Sequence, residues 1–259
     1  MMRALKARLR QGYRTNGFPR EDPRLSPRYA GLPVLDKGAC TACGSCEEAC
    51  PTQAISARMA PLDFTLDLGK CIFCRECEKA CTAKAITFTH SFRMGATERE
   101  GLVVGGEVPM RVERLQKAML SRFGRAMKLR VVSAGGCGAC EADVNVLETI
   151  GFDLSRFGVS VTASPRHADA LLLVGPVSAN MELALEKTWE AMPGPKLFIA
   201  VGACAISGGI YRGLPRVRNG STLPVDLYIP GCPPHPMTIL NGILSLLDRA
   251  PANPEANKD

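Results

Sequence analysis

No apolar run in this chain approaches the roughly 18 residues of a spanning helix, so the sequence predicts a protein that does not itself cross a membrane. Aromatic residues are scarce at 5%, and no folded stretch interleaves them with Lys or Arg. That argues against nucleic-acid binding, which needs a basic face with stacking partners. The Gly-rich turn at 135–138 lacks the G-x-G-x-x-G spacing, so a dinucleotide cradle is not expected. Of three histidines, His90 and His167 fit no ligand pattern. His235, three residues past Cys232, reads as a helix-start or interface residue, with tuning of a cluster at that cysteine or proton shuttling as the other roles for it. The opening residues carry no signal-peptide pattern. With the length and the clustered cysteines, this predicts a reducing compartment rather than a disulfide-stapled secreted protein.

What is present is uneven. The formal charge of +7 is concentrated in residues 1–30, where eight basic residues face only Glu21 and Asp22, a net +6. Met2, Leu5 and Leu9 sit at near-helical spacing among those cations. Such a helix suits a membrane surface or a partner protein, a frayed solvated terminus being the plainer reading and a transit peptide a lesser one. With 46% hydrophobic residues in 259, the chain can bury a proper core and is expected to form two domains.

All twelve cysteines fall into iron–sulfur-type groupings, and none is left over. Two runs come first: Cys40-x2-Cys43-x2-Cys46-x3-Cys50-Pro51, then Cys71-x2-Cys74-x2-Cys77-x3-Cys81. Cys137-x2-Cys140, Cys204 and Cys232 follow. At four thiolates per cubane this predicts three [4Fe–4S] clusters and hence an electron wire. Zinc is the alternative chemistry for the same thiols. The first run is similar to the bacterial two-cluster ferredoxin signature, in which the fourth cysteine of each run ligates the other cluster. That resemblance implies one cluster on Cys40, Cys43, Cys46 and Cys81, and another on Cys71, Cys74, Cys77 and Cys50. Thr82 stands where that signature has a second proline, which is not a ligand, so a small effect on turn geometry or potential is expected.

The expected organisation is a basic extended arm over 1–38, a two-cluster ferredoxin domain over 39–92, a helical connector over 93–126, an α/β domain over 127–249 and a disordered tail over 250–259. In the ferredoxin domain each cysteine run is expected to lead into a small helix and then a short strand, Ala54–Ser56 or Ala85–Phe88. The second run repeats the first 31 positions on, and the clusters are expected to serve as the core of this domain. Val112, Leu115, Met119 and Phe123 have helical spacing in the connector. Beyond it, apolar strand-type runs at Leu129–Val132, Leu171–Val174, Leu197–Val201 and Val225–Ile229 alternate with helical stretches near 141–150, 179–192 and 236–248. The fold class is therefore an α+β ferredoxin domain followed by an α/β domain with a four-stranded parallel, flavodoxin-like sheet. Three of the four strands lead into cysteine loops: Gly135-Gly136-Cys137-Gly138-Ala139-Cys140, Gly202-Ala203-Cys204 and Pro230-Gly231-Cys232-Pro233-Pro234. Ligands of an open parallel sheet bind beyond the strands' carboxyl ends, so these loops can bring Cys137, Cys140, Cys204 and Cys232 to one site. The fourth strand leads into Gly175-Pro176-Val177, without a cysteine. Trp189 is expected to pack within its amphipathic helix.

With these motifs in place, residues 1–92 resemble the ferredoxin-type subunit of membrane-bound hydrogenase and formate hydrogenlyase complexes, through the basic arm and Leu68-Gly69-Lys70-Cys71-Ile72-Phe73-Cys74. Residues 127–249 resemble the small subunit of those hydrogenases, homologous to the B-type subunit of NADH–quinone oxidoreductase. Gly175-Pro176-Val177, the stretch from Gly202 to Tyr211 and Gly231-Cys232-Pro233-Pro234 carry that likeness. The two are separate polypeptides in the systems resembled and fused here. The quinone-reducing branch has adjacent cysteines at the first position, whereas Cys137 and Cys140 form C-x-x-C, as in hydrogenase. After the second cysteine the hydrogenase pattern has Asp, then Glu two residues on; here Glu141 and Asp143 are swapped. These two are the candidates for a proton relay, the alternative being carboxylates that suit a helix N-terminus.

The resemblance implies an electron-transfer subunit, not catalytic alone, in a membrane-associated [NiFe]-hydrogenase or formate-hydrogenlyase-like complex. Its implied partners are a nickel-binding large subunit, membrane subunits and an electron donor or acceptor subunit, and its implied place is peripheral, on the cytoplasmic side of the inner membrane. The equivalent subunit of a nickel-free, quinone-reducing complex is the nearest alternative. A soluble ferredoxin-like carrier or scaffold is the alternative of another class.

Overall fold

The structure, a computed structural model, describes residues 2–12, 14–59, 62–123, 126–218, 220 and 222–250, so the expected tail from 251 on lies outside the described residues. Its first half holds the two cysteine runs. Helix α1 (Met2–Gln11) has no buried residue. Strand β1 (Pro33–Leu35) pairs antiparallel with β4 (Ile86–Phe88). Between them lie the short helices α2 (Ser45–Glu48) and α3 (Glu76–Ala80) and the strands β2 (Ile55–Met59) and β3 (Leu62–Asp67); β5 (Val103–Val104), beyond β4, completes an antiparallel sheet ordered β2-β3-β5. Both helices lie within the cysteine runs, around Cys46 and Cys77, rather than after them as expected. The tight loops that bend three thiols around one point leave only one turn of helix.

The second half begins after α4 (Lys117–Phe123), which is shorter than the connector's helical spacing implied, since residues 111–116 run as irregular chain. Strands β6 (Met127–Ser133), β7 (Val159–Val161), β8 (Ala170–Val174), β10 (Leu197–Val201) and β12 (Leu227–Ile229) form one parallel sheet, ordered β12-β10-β8-β6-β7. Counted within the domain this is the doubly wound order 2-1-3-4-5 of flavodoxin-like sheets. The sheet thus has five strands, not the expected four. The extra one, Val159-Ser160-Val161, is three residues at the sheet edge, too short for a periodicity signal. Strands β8 and β10 are buried at every residue, which is why they read as unbroken apolar runs and lie inside the sheet. A small antiparallel pair, β9 (Val177–Ser178) with β11 (Val217–Arg218), flanks the sheet.

Helices α5 (Ala139–Val146), α6 (Ala179–Ala191), α7 (Ala203–Ser207) and α8 (Pro236–Leu246) complete the domain. In α6, Leu185 faces the core while Glu186, Lys187 and Glu190 face outward, and Trp189 packs edge-on to Phe198 at 5.6 Å. Helix α8 is buried along nearly all its length and starts as its sequence predicts: Pro236 takes the first turn and His235 caps it, the Met237 N–H donating to Nδ1 at 3.1 Å.

One apolar cluster runs through both halves. Ile55, Phe64, Leu66, Leu68 and Ile86 from the ferredoxin side join Val132, Leu171, Leu173, Phe198 and Ala200 from one face of the sheet. The ferredoxin half therefore has a side-chain core beyond its metal sites, completed by its neighbour. The opposite sheet face packs on α5 and α8. The expected extended arm over 1–38 opens instead with α1 and ends in β1, and the described residues between them run as irregular chain that is not free. Phe18 is buried against Phe92 (ring centroids 5.7 Å apart), and Arg156 donates to the Asn16 and Phe18 carbonyls. Burying a ring of that size contributes about 1.5–3 kcal/mol. The connector covers the sheet's outer edge: Tyr228 of β12 donates to Ala96 O at 2.8 Å and accepts from Ala96 N at 3.1 Å.

Candidate metal centres

The two ferredoxin cavities draw on both cysteine runs. One is lined by Cys40, Cys43, Cys46 and Cys81, the other by Cys50, Cys71, Cys74 and Cys77. The end of each run thus lies with the start of the other. The 31-residue repeat extends past the thiols into their supports. The N–H groups of Ala42 and Phe73 donate to Cys40 Sγ (3.4 Å) and Cys71 Sγ (3.3 Å), and those of Ala54 and Ala85 donate to Cys50 Sγ and Cys81 Sγ (3.2 Å each). Glu47 accepts from Ala57 N as Glu78 accepts from Phe88 N, clamping each short helix to the strand that follows its run. This pair of glutamates went unread in the sequence, though they share the cysteines' offset.

The third site lies beyond the strands' carboxyl ends, where such sheets bind ligands. Cys137 follows β6, Cys140 opens α5, Cys204 lies in α7 after β10, and Cys232 follows β12. All four line one cavity, with Val174 at the end of β8 and Gly175 just after it as a thiol-free part of the wall. The site is built closely around its sulfurs. At Gly202, with φ +90°, a Cβ atom would stand 2.7 Å from Cys140 Sγ, so only glycine lets β10 turn here.

None of the twelve cysteines is in a disulfide. Burial pushes the thiols of Cys71, Cys77 and Cys140 up to about 12 and that of Cys204 to about 11, with neighbouring thiols adding to the shift. These side chains are held neutral unless a cation replaces their protons, as metal-binding thiols require. The third cavity holds about 120 Å³, against about 10 Å³ for each of the others. One water needs about 10–15 Å³, so the third site has room for a multi-atom group. In the first two, the fit to iron–sulfur chemistry rests on the donor set: four thiols each, with backbone N–H groups aimed at sulfur.

The three sites form a series. Cys46 of the first group adds to the upward shift of Cys77 in the second, and Cys74 of the second adds to that of Cys232 in the third. Glu141 lines the third cavity; Asp143 does not, and burial raises its carboxyl pKa. Both stand in α5 near its N-terminus, and His235 is engaged in capping α8.

Residues 137–246 match the family described as NADH ubiquinone oxidoreductase, 20 Kd subunit, and residues 39–86 match the 4Fe-4S dicluster domain. Three relatives place the chain. Formate hydrogenlyase subunit 7 of Escherichia coli is 37% identical over 156 residues, 60% of this chain and 61% of that one. A probable membrane-bound hydrogenase subunit, mbhJ of Pyrococcus furiosus, is 37% identical over 142 residues, 53% of this chain and 85% of that one. The B subunit of NADH-quinone oxidoreductase from Citrifermentans bemidjiense is 41% identical over 115 residues, 44% of this chain and 68% of that one. The chain belongs to this family of hydrogenase and NADH–quinone oxidoreductase subunits, with a 4Fe–4S dicluster domain joined ahead of it. It is an iron–sulfur protein, and none of its described helices is long and apolar enough to cross a membrane.

Proposed function

We propose that this chain is the electron-transfer subunit of a membrane-associated [NiFe]-hydrogenase or formate-hydrogenlyase-like complex, holding three [4Fe–4S] clusters in series. The observation that carries this is the run of three thiol-lined cavities, each with four cysteines, from the ferredoxin half to the sheet edge. When bound, each cluster supplies a one-electron redox centre. Cys40, Cys43, Cys46 and Cys81 hold the first, Cys50, Cys71, Cys74 and Cys77 the second, and Cys137, Cys140, Cys204 and Cys232 the third. Apolar side chains, among them Phe64, Leu66 and Phe88, wall the inner side of the first two. Each ferredoxin site has one exposed cysteine, Cys43 or Cys74, and the third has two, Cys137 and Cys232, which suits docking of a catalytic large subunit over it. Every cysteine is used, so nickel belongs to that partner.

EPR titration of the loaded chain checks this directly. Three [4Fe–4S] signals, with about twelve irons per chain, are expected; two signals, or zinc in metal analysis, sink the reading. A nickel-free, quinone-reducing complex is the second reading, favoured by the 41% identity to the B-type component of the quinone oxidoreductase. Against it stands the C-x-x-C of Cys137 and Cys140. Two C-x-x-C pairs and bound nickel in the co-purifying large subunit decide for hydrogenase.

Helix α1 supports the peripheral, membrane-surface location. Met2, Leu5 and Leu9 are 75%, 65% and 76% exposed, and the helix carries Arg3, Lys6, Arg8 and Arg10 with no acidic residue. That composition suits anionic headgroups. Sedimentation with phosphatidylglycerol vesicles is expected at low salt and lost in the Leu5→Asp/Leu9→Asp variant; equal recovery of the parent and the variant removes this role.

A further inference from the structure

Where the two halves meet, one buried hydroxyl joins the loop of a second-site cysteine to the helix of a third-site cysteine. Ser207 ends α7, three residues after Cys204, and is 7% exposed. Its Oγ donates to the Gly69 carbonyl at 2.8 Å, two residues before Cys71. It also lies 3.1 Å from Ala203 O within its own helix, and the Gly209 N–H reaches it at 3.4 Å.

The receiving loop is held from several directions. Asp67 Oδ1 accepts from Gly69 N at 2.9 Å, Asp67 Oδ2 pairs with Arg99 at 2.7 Å, and the Cys71 N–H donates to Asp67 O at 3.1 Å. The packing leaves no slack: a Cβ on Gly69 would meet both the Arg99 guanidinium and Ile206 Cγ2 at 2.8 Å. Ile206 is Ser207's neighbour in α7. Asp67 and Arg99 therefore hold the ferredoxin loop rigid, and Ser207 locks it onto α7. A carbonyl that close to a redox site gains most from a single fixed donor, because it cannot be satisfied by water.

We propose that Ser207 is a positioning residue that sets the separation of the second and third clusters, and with it the rate of electron passage between the two halves. This rests on the three-cluster reading above. Electron tunnelling falls steeply with distance, so the hydroxyl acts through geometry and touches neither cluster.

The test uses the full loaded chain with Ser207→Ala, which removes an atom without adding bulk, and Gly69→Ala, which forces the same contact from the other side. Iron content, the spin coupling between clusters in fully reduced protein and the rate of intramolecular electron equilibration are measured. Both variants are expected to keep their iron and the coupling between the first and second clusters. The coupling between the second and third should weaken and equilibration should slow several-fold, with Ser207→Thr restoring both. Parental coupling and rate in Ser207→Ala overturn the proposal. So does loss of the third cluster from Ser207→Ala while Gly69→Ala keeps parental coupling, since Ser207 is then only part of the cluster's wall. A parent chain with no third signal is a separate failure, of the cluster reading itself, and overturns the proposal with it.

Discussion

Replacing Cys50 with alanine empties the site shared by Cys71, Cys74 and Cys77, and spares the one built by the rest of its own run. The reason is the crossing of the two runs. Cys50 closes the first run in sequence, yet lines the cavity of the second. Its removal would leave Cys71 and Cys77, both buried and with thiols pushed up to about 12, without the fourth thiol that would hold a cluster there. The expected loss is about four of roughly twelve irons per chain. The EPR signals that vanish should match those lost in Cys74→Ala and not those lost in Cys43→Ala. If Cys50→Ala and Cys43→Ala lose the same signals, each run ligates its own cluster and the crossed arrangement is wrong.

Gly202→Ala should abolish the third site and leave the ferredoxin pair intact. The backbone there has φ +90°, which an L side chain adopts only under strain, and the new methyl would lie 2.7 Å from Cys140 Sγ. Strained positions of this kind cost about 1–3 kcal/mol before the clash is added. The Ala203 N–H donates to Gly231 O at 2.8 Å, so a shift at residue 202 also disturbs the loop that carries Cys232. Iron should fall by about a third while the ferredoxin signals stay as in the parent. A Gly202→Ala chain with full iron and an unchanged third signal would show that the loop relaxes freely and that the glycine is incidental.

The parts legible in advance were those with local signatures. The cysteine spacings marked the metal centres, and the apolar runs ending in glycine placed β6, β8, β10 and β12 within one to two residues. Strand β3 was legible but passed over: Leu62, Phe64 and Leu66 alternate with polar residues, and Phe64 and Leu66 are buried in the core. Strand β7 was not, because three residues at a sheet edge carry no periodicity. The path of the arm was equally silent. Asn16, Phe18 and Tyr29 are held by Arg156, Phe92 and Thr238, partners far along the chain, and irregular backbone has no repeat to betray them.

By itself the sequence determined the chemistry: twelve thiols in three sets of four, and strands whose ends deliver four of them to one edge. Ligand chemistry is encoded in residue type and short spacing, which folding does not alter. The order of the sites was decided only by the tertiary structure. Cys74 adds to the upward shift of the Cys232 thiol, Ser207 donates to the Gly69 carbonyl, and one apolar cluster spans both halves. Those contacts arise because each half leaves apolar surface that only the other can cover, and that shared burial sets which centre faces which.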